Sequence, residues 1–135
     1  PTKFDWRVGI LNRQPLYVCR YHMARGAWKI QETDHKGNVD YGRVDTLAVQ
    51  DAPRKVVKTA LAAANLIGDG LYGVDLKQFD DRVCVIEVND NPSIDGGLED
   101  AVLKDQLYRQ IMEVFLQRVE KKKSARGGRR DGNNG

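Results

Sequence analysis

The 135-residue sequence predicts an α+β fold in which an antiparallel sheet is packed by two long helices. Several short segments alternate apolar and polar residues, as strands with one buried face do. Two longer segments instead repeat apolar residues at every third or fourth position, as amphipathic helices do. Turn-forming residues separate the strands at the spacing of hairpins. A chain of this length is sufficient for one domain with a real core.

The first strands are predicted near the start of the chain. Residues 5–11 alternate, and residues 16–23 resume the extended pattern after the turn-forming segment Asn-Arg-Gln-Pro. A third short strand is predicted at residues 28–31. The polar stretch at residues 33–42 contains two glycines and is predicted to be a loop.

The first helix is predicted to begin after Asp51, which is a good N-cap residue. Pro53 then falls in the first turn, where proline is tolerated. Gly68 is placed to end the helix. The predicted apolar stripe of this helix consists of Val56, Val57, Ala60, Leu61 and Ala64.

The second helix is predicted from Glu99 to about Lys122. No apolar side chain larger than alanine follows it, so residues 123–135 are predicted to be a disordered basic tail after a domain at residues 1–122. The predicted buried side of this helix consists of Leu103, Leu107, Ile111, Val114, Phe115 and Val119.

The net charge of +3 comes from the end of the chain. Residues 121–135 contain six lysines and arginines against one aspartate, which leaves a charge of −2 on the rest. A slightly acidic body argues against a uniformly basic nucleic-acid-binding surface. Two cysteines are too few for a disulfide framework, and neither a signal peptide nor a membrane-spanning run is visible. We therefore expect a cytoplasmic protein with no membrane partner.

The segment that points to chemistry is the predicted hairpin at residues 72–89. With three residues in its loop, the centre of symmetry falls at Asp81, and Asp75 lies directly opposite Glu87. Asn89 lies two residues beyond Glu87 and shares its face. The other face is predicted to meet the core through Val74, Leu76, Cys84, Ile86 and Val88.

Two carboxylates that face each other across a sheet repel, so a cation is expected between them. Three oxygen ligands without histidine or cysteine suit magnesium or manganese, and magnesium completes its shell with water and substrate phosphates. This pattern indicates a metal–nucleotide site. A solvated strand face explains the spacing equally well, and a two-residue hairpin loop would shift the register by one and separate the pair.

The order of these residues resembles the magnesium signature of the ATP-grasp superfamily, most closely that of its RimK-type amino-acid (glutamate) ligases. Gly-Val-Asp-Leu-Lys at residues 73–77 and Ile-Glu-Val-Asn-Asp-Asn-Pro at residues 86–92 carry the resemblance. It implies that the chain is the C-terminal lobe of an ATP-grasp domain. It also implies that Asp75, Glu87 and Asn89 hold the magnesium ions that bridge the nucleotide phosphates.

Upstream, the Asp-Trp-Arg-Val segment that begins at Asp5 resembles the Asp-x-Arg strand of the same family. The resemblance implies that Asp5 lies at the nucleotide and that Arg7 faces the reacting phosphate. The family's Arg-Ser-Asn element corresponds here to residues 28–31. In this element Lys29 would supply a positive charge without the bidentate fork of arginine, and Gln31 would supply the amide.

The function that the resemblance implies is ATP-dependent ligation of a carboxylate to an amine or amino acid, with Mg²⁺ or Mn²⁺ as cofactor. ATP would convert the carboxylate to an acyl phosphate, from which the amine would displace phosphate. Arg7 and Lys29 are the candidate catalytic residues, and Asp5, Lys29, Gln31 and Asn91 are candidates for nucleotide binding. The family's nucleotide-binding lysines lie upstream of the matched segment. We therefore expect the chain to be a piece of a longer enzyme and inactive by itself.

An alternative hypothesis is a non-catalytic ATP-grasp-like scaffold whose basic tail contacts RNA. Residues 125–130 faintly resemble RNA-binding segments rich in arginine and glycine, although a solubilising end is the commoner explanation. A scaffold has no use for facing carboxylates, which favours the ligase.

Overall fold

The computed structural model describes residues 4–22, 31–33, 39–41, 44–92, 94 and 99–127, with the backbone alone at 31–33 and 39–41. The chain divides into two compact units, Pro1–Lys104 and Asp105–Gly135. The predicted α+β class is confirmed, because the first unit holds an antiparallel five-stranded sheet with a helix and the second unit a long helix. No helix within the described ranges is long and apolar enough to span a membrane.

The main sheet has the strand order β5-β2-β1-β6-β7, and all neighbouring strands are antiparallel. Its strands are β1 Phe4–Leu11, β2 Gln14–His22, β5 Val44–Leu47, β6 Leu71–Phe79 and β7 Arg82–Asn89. A separate two-stranded sheet pairs β3 Gln31–Thr33 with β4 Val39–Tyr41. The helices are α1 Arg54–Ile67 and α2 Asp105–Gly127.

The first hairpin is tighter than the sequence predicted. Leu11 pairs with Gln14, so only Asn12 and Arg13 form the turn. Both have positive φ, at 49° and 65°, as a two-residue turn that matches the twist of its strands requires. The register that this turn sets shifts by one residue between Gly9 and Ile10, and the turn and the shift together determine which residues of β2 face the candidate site.

The core of the first unit lies between the sheet and α1. Trp6, Val8 and Ile10 of β1 are buried there, as their alternation predicted. Gly68 ends α1 as predicted, and its N–H donates to the carbonyl of Ala64. The predicted stripe of α1 is confirmed, with Val56, Ala60 and Ala64 buried and Val57 and Leu61 partly buried against the same core.

The start of α1 differs from the prediction. Its N-cap is Pro53, whose side chain makes no capping hydrogen bond, whereas Asp51 lies in a preceding 3-10 turn at Val49–Asp51. Pro53 has the extended backbone that a cap position requires, with φ of −56° and ψ of 125°. The helix therefore begins two residues later than the position of the aspartate indicated.

The connection between β2 and α1 contains more strand than predicted. The loop predicted at residues 33–42 is wrong in part, because β4 lies within it, and β5 was not predicted. β5 has only four residues, which are too few to show an alternation of apolar and polar residues. Asp45 ties this edge strand to β2, with its Oδ2 lying 2.7 Å from His22 Nε2 and 3.5 Å from Arg20 Nη2. Of the third strand predicted at residues 28–31, only Gln31 lies within the described residues.

Helix α2 begins later and ends later than predicted. A turn at residues 99–104 precedes it, and the helix extends to Gly127. Residues 123–127 are therefore helical and not part of a disordered tail, while residues 128–135 lie outside the described residues. Lysine, alanine and arginine favour helix, and cations near its C-terminus stabilise its dipole. Of the predicted buried side Leu107 is buried, Leu103, Ile111 and Val114 are partly buried, and Phe115 and Val119 are exposed.

Candidate functional site

The hairpin that carries the candidate ligands closes with a two-residue loop. Phe79 pairs with Arg82, so only residues 80–81 form the turn. The three-residue loop predicted from the sequence is therefore wrong. A uniform ladder starting from this turn would displace Asp75 by one position from Glu87.

A β-bulge restores the pairing that the loop would displace. Asp75 pairs with Glu87, whereas the next residue along β6, Leu76, pairs with Val85. Ile86 is therefore the extra residue of β7, and its side chain is 52% exposed. The two carboxylates therefore pair and share one face of the sheet, as predicted. Their pairing results from a two-residue loop combined with a bulge, and not from a three-residue loop.

Between the bulge and the turn, the two faces of β7 are exchanged relative to the prediction. Cys84 pairs with Lys77, lies on the face of the carboxylates and is exposed. Val83 packs against the core in its place. The predicted core face is confirmed for Val74, Leu76 and Val88 and is wrong for Cys84 and Ile86.

The carboxylates belong to a row of residues that crosses the sheet from edge to edge. Cross-strand pairs connect, in order, Thr46, Cys19, Arg7, Asp75 and Glu87. Directly paired residues in an antiparallel sheet point to the same side. The row therefore places Arg7 of the central strand next to the two acidic residues, as the resemblance to a shared site implied.

Arg7 binds both carboxylate oxygens of Asp75. Its Nε donates to Oδ1 at 2.8 Å and its Nη2 donates to Oδ2 at 3.2 Å. Its Nη1 donates to the hydroxyl of Tyr21 at 3.5 Å, and the guanidinium carbon lies 4.9 Å from the centre of the Tyr21 ring. The hydrogen bond to Asp75 is the main cause that raises the pKa of Arg7 well above its ordinary value. Arg7 is a permanent, oriented cation.

This ion pair changes the electrostatic argument for a metal. A cation was expected between the facing carboxylates, and Arg7 supplies one positive charge at Asp75. Glu87 is exposed and accepts no hydrogen bond from the rest of the described chain, so its charge is not compensated in this way. Within the described ranges, no three histidine, cysteine, aspartate or glutamate side chains cluster as metal ligands. The predicted set of two carboxylates and one amide stays a prediction.

The end of β7 positions the amide candidates. Asn89 pairs with Gly73, on the face that also carries Glu87. The Oδ1 of Asn89 accepts a hydrogen bond from the N–H of Asn91 at 2.9 Å, which makes an Asx turn. Pro92 then packs against Gly73, where a Cβ would lie 2.9 Å from the proline Cβ. The absence of a side chain at residue 73 lets this loop lie close to the sheet.

The remaining predicted site residues are described to different extents, in full for Asp5 and by the backbone alone for Gln31. Asp5 lies on β1 with its Oδ1 3.7 Å from the Nζ of Lys77, which is too long for a hydrogen bond. That oxygen is buried and has no hydrogen-bond partner among the described residues. Gln31 is described by its backbone alone, as the first residue of β3, and Lys29 lies outside the described residues.

Three further residues on the Arg7 side of the sheet were not singled out from the sequence. The hydroxyl of Tyr21 donates to the carboxylate of Glu99, which is 2% exposed. Burial, with this hydrogen bond as the second cause, raises the pKa of Tyr21 well above its usual range. Tyr17 covers Gly9 of β1, its cross-strand partner. The two-residue turn and the register shift between Gly9 and Ile10 together fix which residues of β2 lie opposite Arg7, and alternation does not reveal such a shift.

The two cysteines should differ sharply in reactivity. Cys19 is buried beside Thr46, and burial raises the pKa of its thiol to about 11, whereas Cys84 is exposed. At pH 8 only about one Cys19 thiol in a thousand is ionised, and the thiolate is the reactive form. We expect iodoacetamide to modify one thiol per native chain, identified by mass spectrometry as Cys84. Cys84→Ser should abolish this labelling until denaturant is added, and rapid labelling of Cys19 in the native chain would contradict its burial.

Comparison with known proteins adds three findings, while no family model matches the chain. A 70-residue stretch is 37% identical to a probable alpha-L-glutamate ligase of Aliivibrio salmonicida (strain LFI1238) and covers 52% of this chain. The fold is similar to that of D-alanine–D-alanine ligase from Bacillus anthracis, with a TM-score of 0.56 and 20% identity over 91% of this chain. It is also similar to ATP-grasp ligase PsnB in complex with a phosphomimetic variant of a minimal precursor, Mg and ADP, with a TM-score of 0.50 and 21% identity over 82% of this chain.

These matches confirm the predicted resemblance to ATP-grasp ligases. The structural neighbours share the fold of this chain, and the sequence relative is a probable glutamate ligase, the kind of enzyme that the motifs indicated. The matches extend over only part of each relative. They cover 21% of the glutamate ligase, 42% of the D-alanine–D-alanine ligase and 34% of PsnB.

Proposed function

We propose, because the chain has the fold of an ATP-grasp ligase, that the whole protein joins a carboxylate to an amine with consumption of Mg-ATP. The carboxylate takes the γ-phosphoryl group of ATP, ADP leaves, and the amine displaces phosphate from the acyl phosphate. Each turnover then gives one amide, one ADP and one phosphate. The observation that carries the proposal is the row formed by Arg7, Asp75 and Glu87, in which an oriented guanidinium lies beside acidic oxygens on one sheet face.

The donor set fits a magnesium or manganese ion. Asp75, Glu87 and Asn89 offer only oxygen ligands, which these ions prefer. Arg7 engages each oxygen of Asp75 once, and a carboxylate has about four lone-pair sites, so Asp75 keeps acceptor capacity. Glu87 and Asn89 are exposed and would complete the set. When bound, the ion would neutralise negative charge on the nucleotide phosphates.

Arg7 is the proposed residue that stabilises the phosphoryl group in transfer. Three of the five N–H donors of its guanidinium face Asp75 and Tyr21, and two remain for phosphate oxygens. Because the guanidinium is held from two sides before substrate arrives, little reorganisation is needed during the reaction. Lys29 is proposed, together with Arg7, to stabilise the transferring phosphoryl group with its positive charge.

Asp5, Asn91 and Gln31 are the proposed nucleotide-binding residues. The buried Oδ1 of Asp5 lacks a donor among the described residues, and a hydroxyl group of the nucleotide would satisfy it. Asn91 is proposed to act by orienting Asn89, with which it forms the Asx turn. Gln31 is proposed to supply an amide. Use of ATP agrees with the cytoplasmic location predicted from the sequence.

The proposed function is tested with the full-length protein, ATP, magnesium and L-glutamate supplied as both carboxylate and amine. L-Glutamate is the first probe because the sequence relative is a probable alpha-L-glutamate ligase. We expect ADP release that requires both the metal and the amine, with one new amide per ADP by mass spectrometry. If neither L-glutamate nor any other standard amino acid supports amide formation, the proposal fails. Salt-sensitive RNA binding that is lost without residues 121–135 would then favour the scaffold alternative.

A further inference from the structure

We infer that Glu99 is a positioning residue that orients Arg7 through the hydroxyl group of Tyr21. Glu99 lies in the turn before α2, and no motif of the proposed site includes it or Tyr21. The inference rests on the proposed function, in which Arg7 contacts the transferring phosphoryl group. It adds two residues that act on that arginine without touching the substrate.

Glu99 is buried although its side chain is acidic. Among the described residues it is the only buried side chain that carries a charge, with 2% of its surface exposed. A carboxylate is costly to bury unless hydrogen bonds compensate it. The Tyr21 hydroxyl, 78 residues away in the sequence, donates to its Oε1. The fold therefore brings this carboxylate to the tyrosine of β2 rather than leaving it in solvent.

The Tyr21 hydroxyl contacts both Glu99 and Arg7. A phenol has one proton to donate, and its oxygen can also accept. Because the proton is directed to Glu99, the oxygen lone pairs are free to face Arg7, whose Nη1 donates to them at 3.5 Å. Burial raises the pKa of Tyr21, which keeps that proton in place. Glu99 thus fixes Tyr21 as an acceptor for the arginine.

The guanidinium of Arg7 is held by two residues, Asp75 and Tyr21. Asp75 holds the edge of the guanidinium formed by Nε and Nη2, while Tyr21 holds Nη1 and places its ring 4.9 Å from the guanidinium carbon. If the Tyr21 hydroxyl were lost or turned away, the two hydrogen bonds to Asp75 would remain, but Nη1 would lose its acceptor and the guanidinium plane could tilt about the edge that faces Asp75. The two N–H groups of Arg7 that remain for phosphate oxygens would then no longer point in one fixed direction. When a catalytic group loses its fixed orientation, the reaction slows even if the substrate still binds.

The first test measures the arginine itself and does not depend on ligase activity. In the 135-residue chain labelled with ¹⁵N-arginine, Tyr21→Phe should shift the Nε–Hε signal of Arg7 and speed exchange of its Nη1 protons about fivefold, as loss of the hydrogen bond that Nη1 donates implies. Glu99→Gln should shift the same signal, because glutamine weakens the bond that orients the hydroxyl. Tyr72→Phe removes a hydroxyl from the other face of β6 and should leave the signal unchanged.

The outcome that overturns the inference is an unchanged Arg7 signal in a folded Tyr21→Phe chain. In that case Glu99 would only attach its turn to the sheet, and the melting temperature would fall without any effect on the arginine. Tyr21→Phe keeps the ring and its packing, so an unchanged signal in this variant overturns the inference even if Glu99→Gln does not fold. An unchanged signal in a folded Glu99→Gln chain overturns it as well.

The second test uses the kinetics of the full-length protein with ATP, magnesium and L-glutamate. Both variants should lower kcat about tenfold with KM for ATP within about twofold, because the affected contact matters in the transition state. The double variant should lose no more than Tyr21→Phe alone, since both changes act through one hydroxyl. Additive losses would overturn the inference. A parent protein without ligase activity would refute the proposed function, whereas the arginine spectra would still decide the role of Glu99.

Discussion

Glu87→Gln should lower metal-dependent ADP release by the full-length protein about 100-fold or more, as loss of a group that stabilises charge in the transition state does. The free energy of unfolding should stay within about 0.5 kcal/mol of the parent. Glu87 is exposed on the edge strand and takes no hydrogen bond from the described residues, so the fold does not use its charge. Steady-state kinetics and urea denaturation measure the two effects separately.

Asp75→Asn should behave differently, with activity and stability lost together. Both oxygens of Asp75 accept charge-assisted hydrogen bonds from Arg7, and the two side chains are only about a quarter exposed. An asparagine turns one acceptor into an N–H donor that faces the guanidinium. We expect a decrease of about 1–3 kcal/mol in the free energy of unfolding, in addition to the loss of activity.

Matched controls make the same chemical changes away from the site. Glu120→Gln on the exposed side of α2 and Asp81→Asn in the hairpin turn should each leave the rate and the unfolding midpoint at parent values. Parent-like activity of Glu87→Gln would remove Glu87 from the proposed metal site. Strong destabilisation by Glu87→Gln would instead show that β7 depends on a contact of this carboxylate.

The pairing of Asp75 with Glu87 was predicted correctly, but the loop length from which it was predicted was wrong. Alternation assigns the two faces of a strand, but it carries no information on where a ladder is interrupted. The loop was predicted one residue too long, and the bulge at Ile86 was not predicted. The two errors cancel beyond the bulge, at Asp75 and Glu87. They do not cancel between the bulge and the turn, so Cys84 was assigned to the wrong face.

The contacts made by Arg7 could not be predicted from the sequence. The resemblance assigned Arg7 to a phosphate and Asp75 to a metal, whereas the structure also binds them to each other. That bond joins residues 68 positions apart and depends on β1 pairing with β6 in one register. The contact between Tyr21 and Glu99 spans 78 positions and also involves a turn without any periodic pattern. Local patterns predict elements and faces, but pairing across the sheet is decided by tertiary structure.

Gly9→Ala should decrease the free energy of unfolding by about 3 kcal/mol or more, the upper range for insertion of a methyl group into a packed core. A Cβ at this position would lie 2.5 Å from Cδ1 and 2.6 Å from Cζ of the Tyr17 ring, far inside van der Waals contact. Tyr17 is 2% exposed, so its ring is enclosed by protein on nearly all sides. Urea denaturation of the 135-residue chain measures the change.

Two comparisons separate this steric effect from the general effect of replacing glycine. Gly127→Ala adds the same methyl group to α2 where no atom lies within 4 Å, and it should be neutral or slightly stabilising. In a Tyr17→Ala background the ring is absent, so Gly9→Ala should then cost less than about 1 kcal/mol. An equal loss in both backgrounds would show that the backbone of β1, rather than the tyrosine ring, requires glycine at this position.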